Sequence, residues 1–132
     1  MERLAVYRAL LLLETAALLA TSALPSVPQT PDVGLPGFRE GYYIHFFAYF
    51  VYGLLAATAF RKSRKNLIFA AVIIGAGVGL AAEIIQFFTP NRAADAVDWM
   101  MDIAGSLAGG LLYTKLMKKR SLFARKDMAY AL

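Results

Sequence analysis

Residues 67–88 read LIFAAVIIGAGVGLAAEIIQFF, and Glu83 is the one charge among them. A hydrocarbon core about 30 Å thick is crossed by about 20 apolar residues in helical form. A helix that is apolar all round has to be covered by lipid or by a large protein interior. Reading outward from this stretch, three more segments have the same character: about Leu4 to Leu24, about Gly41 to Phe60, and about Trp99 to Met117. Their connections are a Pro-rich loop (Pro25 to Glu40), a basic turn (Arg61-Lys62-Ser63-Arg64-Lys65-Asn66) and a polar loop (Thr89 to Asp98), followed by a basic tail over 118–132. These segments predict an all-α fold: a four-helix transmembrane bundle of up-down connectivity, forming a single domain over residues 1–132.

Composition agrees with this reading. Hydrophobic residues make up 59% of the 132, charged residues 17%, and the mean hydropathy is +0.54. Soluble domains are about 45–50% apolar and about 25% charged, and a chain this short cannot hide the excess in a core of its own. The same figures exclude disorder. Cysteine is absent, which removes disulfides, thiol nucleophiles, iron–sulfur clusters and Cys-type zinc sites.

The net charge of +5 would suggest nucleic acid if the basic residues formed one soluble patch, but they follow the segments instead. Of the 14 Lys and Arg residues, only Arg39 and Arg92 fall on the side of the first and third connections. The positive-inside rule therefore predicts a multi-pass protein of the plasma (cytoplasmic) membrane with both termini cytoplasmic. The basic flanks face anionic headgroups, so membrane lipids are the expected partners and nucleic acid is not. The basic start, the apolar run and the small residues Ala20-Thr21-Ser22-Ala23 also resemble a secretory signal peptide. The length of the run, and Glu14 within it, favour a retained helix.

Ionisable residues inside a membrane are costly and mark functional sites by default. Here their depths coincide. His45 lies one turn into the second segment, Glu83 and Gln86 lie in the last turns of the third, and Asp98 and Asp102 lie in the first turns of the fourth, with Arg92 and Asp95 in the loop between. Spacing agrees with depth. Tyr42, His45 and Tyr49 share a helix face, Glu83 and Gln86 share another, and Asp98, Asp102, Gly105 and Gly109 form one seam. Gly105 and Gly109 are a GxxxG pair, and with Gly75, Gly77 and Gly79 they predict close approach of the third and fourth helices. A homo-oligomer through Gly105 and Gly109 is a further expectation. Three carboxylates at one depth cannot all be ionised without a cation, which Arg92, a protonated His45 or a metal would supply.

The pattern His45-Phe46-x-x-Tyr49, Glu83-x-x-Gln86, Pro90-x-Arg92-x-x-Asp95-x-x-Asp98 and Gly105-x-x-x-Gly109 resembles the VanZ-like family of small membrane proteins. The resemblance covers about Gly41 to Gly110. It departs from the family in two places: Gly41 and Tyr42 stand where an acidic-Lys pair often precedes the His, and Asp102 stands where Asn is common. The resemblance implies a fold and a site but not a reaction. It also implies a link to teicoplanin susceptibility, since the family takes its name from a protein tied to teicoplanin resistance.

On this basis His45, Glu83 and Asp98 are candidate acid–base residues, and Arg92, Gln86, Tyr49, Asp95 and Asp102 are candidate substrate-binding residues. Guanidinium geometry suits a phosphate or pyrophosphate, while Arg92 pinning its own loop through Asp95 or Asp98 is the structural alternative. For His45 the alternative is a hydrogen bond to Glu83 or a tyrosine. For Glu83 and Gln86 it is an interhelical clasp. For Asp98 it is an N-cap, and Asp95 would then cap a short interfacial helix. Glu14, near mid-membrane, either relays protons or hydrogen-bonds to a Ser, Thr or backbone carbonyl.

Tyr42, Tyr43, Phe46, Phe47, Tyr49 and Trp99 fit interfacial anchors. Leu122, Phe123, Met128 and Tyr130 fit a short amphipathic surface helix or a frayed end. The sequence contains no nucleophile elbow, P-loop or HExxH. No ligand spacing identifies a metal, so none is assigned, and no cofactor is named. The leading expectation is recognition or processing of an anionic amphiphile at the outer leaflet, either a phospholipid or a polyprenyl-phosphate-linked envelope precursor. An oligomeric proton-coupled transporter and a non-catalytic adaptor whose polar cluster is structural are the alternatives.

Overall fold

The computed structural model describes residues 2–25, 40–62 and 66–129, with side chains over 4–25, 41–62 and 66–121. It contains four α-helices: α1 (Glu2–Ser22), α2 (Glu40–Ala59), α3 (Leu67–Phe88) and α4 (Ala96–Ala129). Residues 26–39 of the Pro-rich loop, including Arg39, the Ser63-Arg64-Lys65 part of the basic turn, and Tyr130 lie outside the described residues, as do the side chains of Arg3, Leu122, Phe123 and Met128.

Local chemistry sets the boundaries of α3 and the turn after it. Asn66 precedes α3 in the left-handed region (φ 71°), where Asn is tolerated better than most residues. At the other end, Thr89 leaves the helix in extended conformation. The Arg92 amide donates to Thr89 O at 3.2 Å, with Pro90 and Asn91 between them and Asn91 at φ 59°. Pro followed by a positive-φ Asn is the pattern of a type II turn.

Two boundaries of α4 differ from expectation. It starts at Ala96 rather than Trp99, because Asp95 is its N-cap: Asp95 Oδ1 accepts the Val97 N–H at 2.9 Å, and the Trp99 amide donates to Asp95 O at 3.2 Å. Asp98 therefore sits inside the first turn and is not the cap. At the other end the basic tail neither frays nor forms a separate element, since α4 continues unbroken to Ala129. Lys, Arg and Leu are good helix formers, and leaving an apolar environment gives the backbone no reason to stop.

The end of α1, the start of α2, the end of α3 and the start of α4 meet at one end of the bundle, as up-down connectivity requires. Most of the packing is between α2 and α4. Among the described residues, α1 touches α2 and α3 but not α4. A small core of Leu11, Tyr52, Ala56, Ala59 and Ala71 joins α1, α2 and α3. On the other side α4 is clamped by glycine contacts. A Cβ at Gly105 or Gly109 would meet the α2 backbone at Phe46, Phe50 and Leu54, and a Cβ at Gly53 would meet Ser106 of α4. A Cβ at Gly75 or Gly79 would meet Ser106, Asp102 and Trp99 of α4, whereas Gly77 faces open space. The α3–α4 approach is therefore made by Gly75 and Gly79. The GxxxG pair of α4 is used against α2 of the same chain, so an oligomer would have to use another face.

Three helices, α1 to α3, are long and apolar enough to cross a membrane. The fourth falls short on composition, because its inward seam carries Asp98, Asp102, Gly105, Ser106 and Gly109 in place of apolar residues. Large apolar side chains point outward on every helix, including Leu12, Ile44, Phe47, Phe69, Phe87 and Met100. In a membrane bundle such faces contact acyl chains, and the helices are held together by small residues and hydrogen bonds.

Candidate functional site

The polar residues of α2, α3 and α4 converge beside the 89–95 loop. His45, one turn into α2, has Nδ1 2.8 Å from Asp102 Oδ1 and Nε2 3.8 Å from Asp98 Oδ2. The imidazole and Asp98 are 18% and 17% exposed, while Asp102 is fully buried. The pair thus runs from a partly open lip to a closed floor. Asp98 and Asp102 can both face His45 because residues four apart on α4 lie on one side of the helix. The partner of His45 is Asp102, rather than the Glu83 or tyrosine considered from sequence.

Glu83 approaches from α3 and is buried. Its Oε2 accepts the Asp95 amide at 2.6 Å, so one carboxylate holds the entry to α4 in place. Asp95 also accepts a hydrogen bond from the Tyr42 hydroxyl at 3.1 Å. Asp95 is therefore a hub tying the starts of α2 and α4 to the end of α3. Gln86 is buried one turn beyond Glu83 on the same face. Tyr49 is 2% exposed, and its hydroxyl, close enough to Asp102 and Glu83 to interact with them electrostatically, has no hydrogen-bond partner. Glu83 Oε1 and Asp102 Oδ2 are likewise buried without a partner. Buried polar atoms are nearly always satisfied, so these three unsatisfied atoms, on α2, α3 and α4, mark this end of the bundle.

Arg92 is placed at the same end but is engaged elsewhere. Its Nε donates to Leu24 O at 3.1 Å and its Nη2 to Thr21 O at 3.3 Å. These carbonyls lie at the end of α1 and just past it, and Thr21 O also accepts the Leu24 amide at 3.2 Å; the negative end of the helix dipole favours a cation there. Thr89 adds to the clasp, with Oγ1 2.8 Å from Ile85 O and 3.3 Å from Ser22 O. Arg92 thus pins the loop, as one of its two expected uses, through backbone carbonyls.

Ser106 and Tyr52 are contributors that the sequence reading does not single out, and Trp99 and Glu14 behave differently from expectation. Ser106 is fully buried one turn below Asp102, wedged between Gly53 and Gly75. Trp99, read as an interfacial anchor, donates its Nε1–H to Ala76 O at 2.9 Å and ties α4 to α3. Tyr52 continues the His45–Tyr49 face by one more turn. Its hydroxyl lies 3.0 Å from Thr15 Oγ1, which itself donates to Leu11 O, so the tyrosine is the donor. Glu14 Oε2 makes no hydrogen bond, contrary to the expected Ser, Thr or carbonyl partner.

One donor atom each from His45, Glu83 and Asp102 lies within 4.8 Å of the others, and these are metal-ligating residue types. Two surface cavities of about 730 and 600 Å³ lie at the opposite, basic end, lined by Arg61, Lys62, Tyr113 and Asn66 among others. They share no residue with the His45 cluster.

The sequence profile of the VanZ/LLP1 family matches residues 11–118, and the chain belongs to that family. No curated protein and no solved structure matches it. With three helices able to cross a bilayer, it is a membrane protein of VanZ-like type.

Proposed function

We propose that this protein binds or processes an anionic amphiphile at the outer leaflet, with the His45–Glu83–Asp98–Asp102 cluster as its reactive centre. The observation that carries this reading is the His45 geometry. Asp102 holds Nδ1 from a fully buried position, which in the neutral ring leaves the lone pair on Nε2, at the more exposed lip beside Asp98. An oriented imidazole backed by a buried carboxylate is how proteins position a general base. Glu83 stands beside it as a second acid–base group, and Asp98 orients whatever binds at Nε2.

The basic flanks support a topology with both termini cytoplasmic, which puts the cluster at the outer surface, within reach of a headgroup whose acyl chains lie along the exposed apolar faces. Arg92 sits at the mouth and sets the loop that frames it. A phospholipid or a polyprenyl-phosphate-linked precursor fits these demands. An effect on teicoplanin susceptibility would follow indirectly, from altered surface lipid or from interception of the drug.

Native mass spectrometry of the purified protein beside Glu83→Gln and Arg92→Ala tests the proposal. A specific anionic lipid retained by the native chain and lost from folded variants is the expected result. Equal retention in all three refutes it. The transport reading draws on one observation, the unpartnered Glu14 oxygen deeper in the bundle, with Tyr49 and Tyr52 between it and the cluster. A Glu14→Gln variant with unchanged function would remove that support.

A further inference from the structure

We infer that the bundle carries a binding site for one divalent transition-metal ion, formed by His45 of α2, Glu83 of α3 and Asp102 of α4. Three observations converge on it. One donor atom of each residue lies within 4.8 Å of the other two. Three donors held about 2.0–2.2 Å from one ion lie about 3.3–3.6 Å apart at the tetrahedral angle, so a single ion reaches all three once side-chain shifts bring the donors about 1–1.5 Å closer. The second observation is the orphan oxygens. Glu83 and Asp102 are 6% and 0% exposed, and each has one carboxylate oxygen with no partner. The third is independent of the ligands themselves: the Tyr49 hydroxyl, one turn beyond His45 on the same face of α2 and 2% exposed, also has no hydrogen-bond partner. A water or anion held by a metal would accept its proton.

Two carboxylates and one imidazole, taken out of water together, are stabilised better by a dication than by the imidazole alone. The donor set of one nitrogen and several oxygens, without sulfur, suits Mn²⁺ or Zn²⁺. Each ligand comes from a different helix, so the ion would also join α2, α3 and α4, and Gly79 is one reason the site can exist. It lies one turn before Glu83, and a side chain there would collide with Asp102 Oδ2. The inference goes beyond the amphiphile reading. It is measured in detergent with no lipid added, so the two can fail separately.

The experiment uses the full chain, stripped with a chelator and titrated with Mn²⁺ or Zn²⁺. One equivalent should bind. In the Mn²⁺ form, pulsed paramagnetic resonance should show coupling to an imidazole nitrogen, which His45 alone can supply because it is the only histidine. Glu83→Gln and Asp102→Asn should each weaken binding by about 100-fold or more, above the 10–100-fold that loss of a supporting partner costs. Glu14→Gln, which removes a buried acid elsewhere, should leave the affinity unchanged. The spectroscopic measurement needs no variant, so a misfolded mutant does not shield the inference. Absence of binding up to about millimolar metal, absence of nitrogen coupling, or equal affinity in a folded Glu83→Gln would overturn it.

Discussion

Gly105→Ala is the sharpest test of how the fold builds the site. A Cβ at Gly105 would stand 2.9 Å from the Phe50 amide nitrogen and 3.1 Å from the Tyr49 carbonyl carbon, and would run into the Phe46 carbonyl. All three neighbours are α2 backbone, which has no rotamer to change. Comfortable carbon contacts lie at about 3.5–4.0 Å, so α2 must retreat from α4 by roughly 0.5–1 Å. The His45–Asp102 bond bridges the same two helices less than a turn away. At 2.8 Å, a retreat of that size carries it past the limit of about 3.2 Å for a good N–H···O bond. Overpacking costs about 1–3 kcal/mol, and a lost bond to a charged group about 1.5–3 kcal/mol. Alanine returns about 1 kcal/mol of helix propensity. The net expected loss is about 1.5–5 kcal/mol.

The matched control is Gly77→Ala, where a Cβ meets nothing within 4 Å and up to about 1 kcal/mol is gained. Reversible unfolding in mixed micelles followed by helicity measures the pair. Nuclear resonance of the lone imidazole reports whether the bond to Asp102 survives. If Gly105→Ala is as stable as Gly77→Ala and keeps the imidazole signal of the parent, the proposed clamp is wrong. If it leaves the monomer intact but dissociates an oligomer, the glycine pair faces a second copy instead.

Other expectations can be checked with single changes. Arg92→Ala should fray the last turn of α1, seen as faster amide hydrogen exchange around residues 19–24, at a cost of about 1–3 kcal/mol for two charge-assisted bonds to backbone. Trp99→Phe should cost about 1 kcal/mol by removing the hydrogen bond to Ala76, measured by the same unfolding assay. Asp95→Ala should be worse than an ordinary cap deletion of about 1 kcal/mol, because the bond from Tyr42 is lost as well. In the cysteine-free chain, a thiol introduced at Ala94 should react with an impermeant reagent on whole cells, while one at Ser121 should react only after lysis. The reverse pattern would invert the topology.

The sequence was informative to different depths in different places. Hydropathy placed α3 to the residue, because an apolar run ends sharply at Asn66 and Thr89. It placed the end of α4 poorly, since hydropathy marks where a helix leaves lipid and not where its hydrogen bonds stop. The convergence of His45, Glu83, Asp98 and Asp102 could be read from depth and face alone. Helical periodicity also contained Tyr52, one turn beyond Tyr49, and Ser106, one turn beyond Asp102. Partner identity was less accessible. Glycine spacing identifies a face that accepts close approach but not which helix makes it, so the GxxxG pair reads as an α3 contact while it packs on α2. For Arg92 the sequence offers a phosphate or the acidic Asp95 and Asp98 as partners, because charges are visible in a sequence, whereas the backbone carbonyls at the end of α1 leave no mark there.

The helix α4 runs for 34 residues without a break, about 51 Å at 1.5 Å per residue. One end carries Asp98 and Asp102, and the other carries the basic tail. A rod of this length is stiff along its axis, so a displacement applied at the tail arrives almost undiminished at the carboxylates. The tail is thus a mechanical handle on the far end of the molecule. A load placed on it would change the spacing between Asp102 and His45 without anything having to reach the site itself.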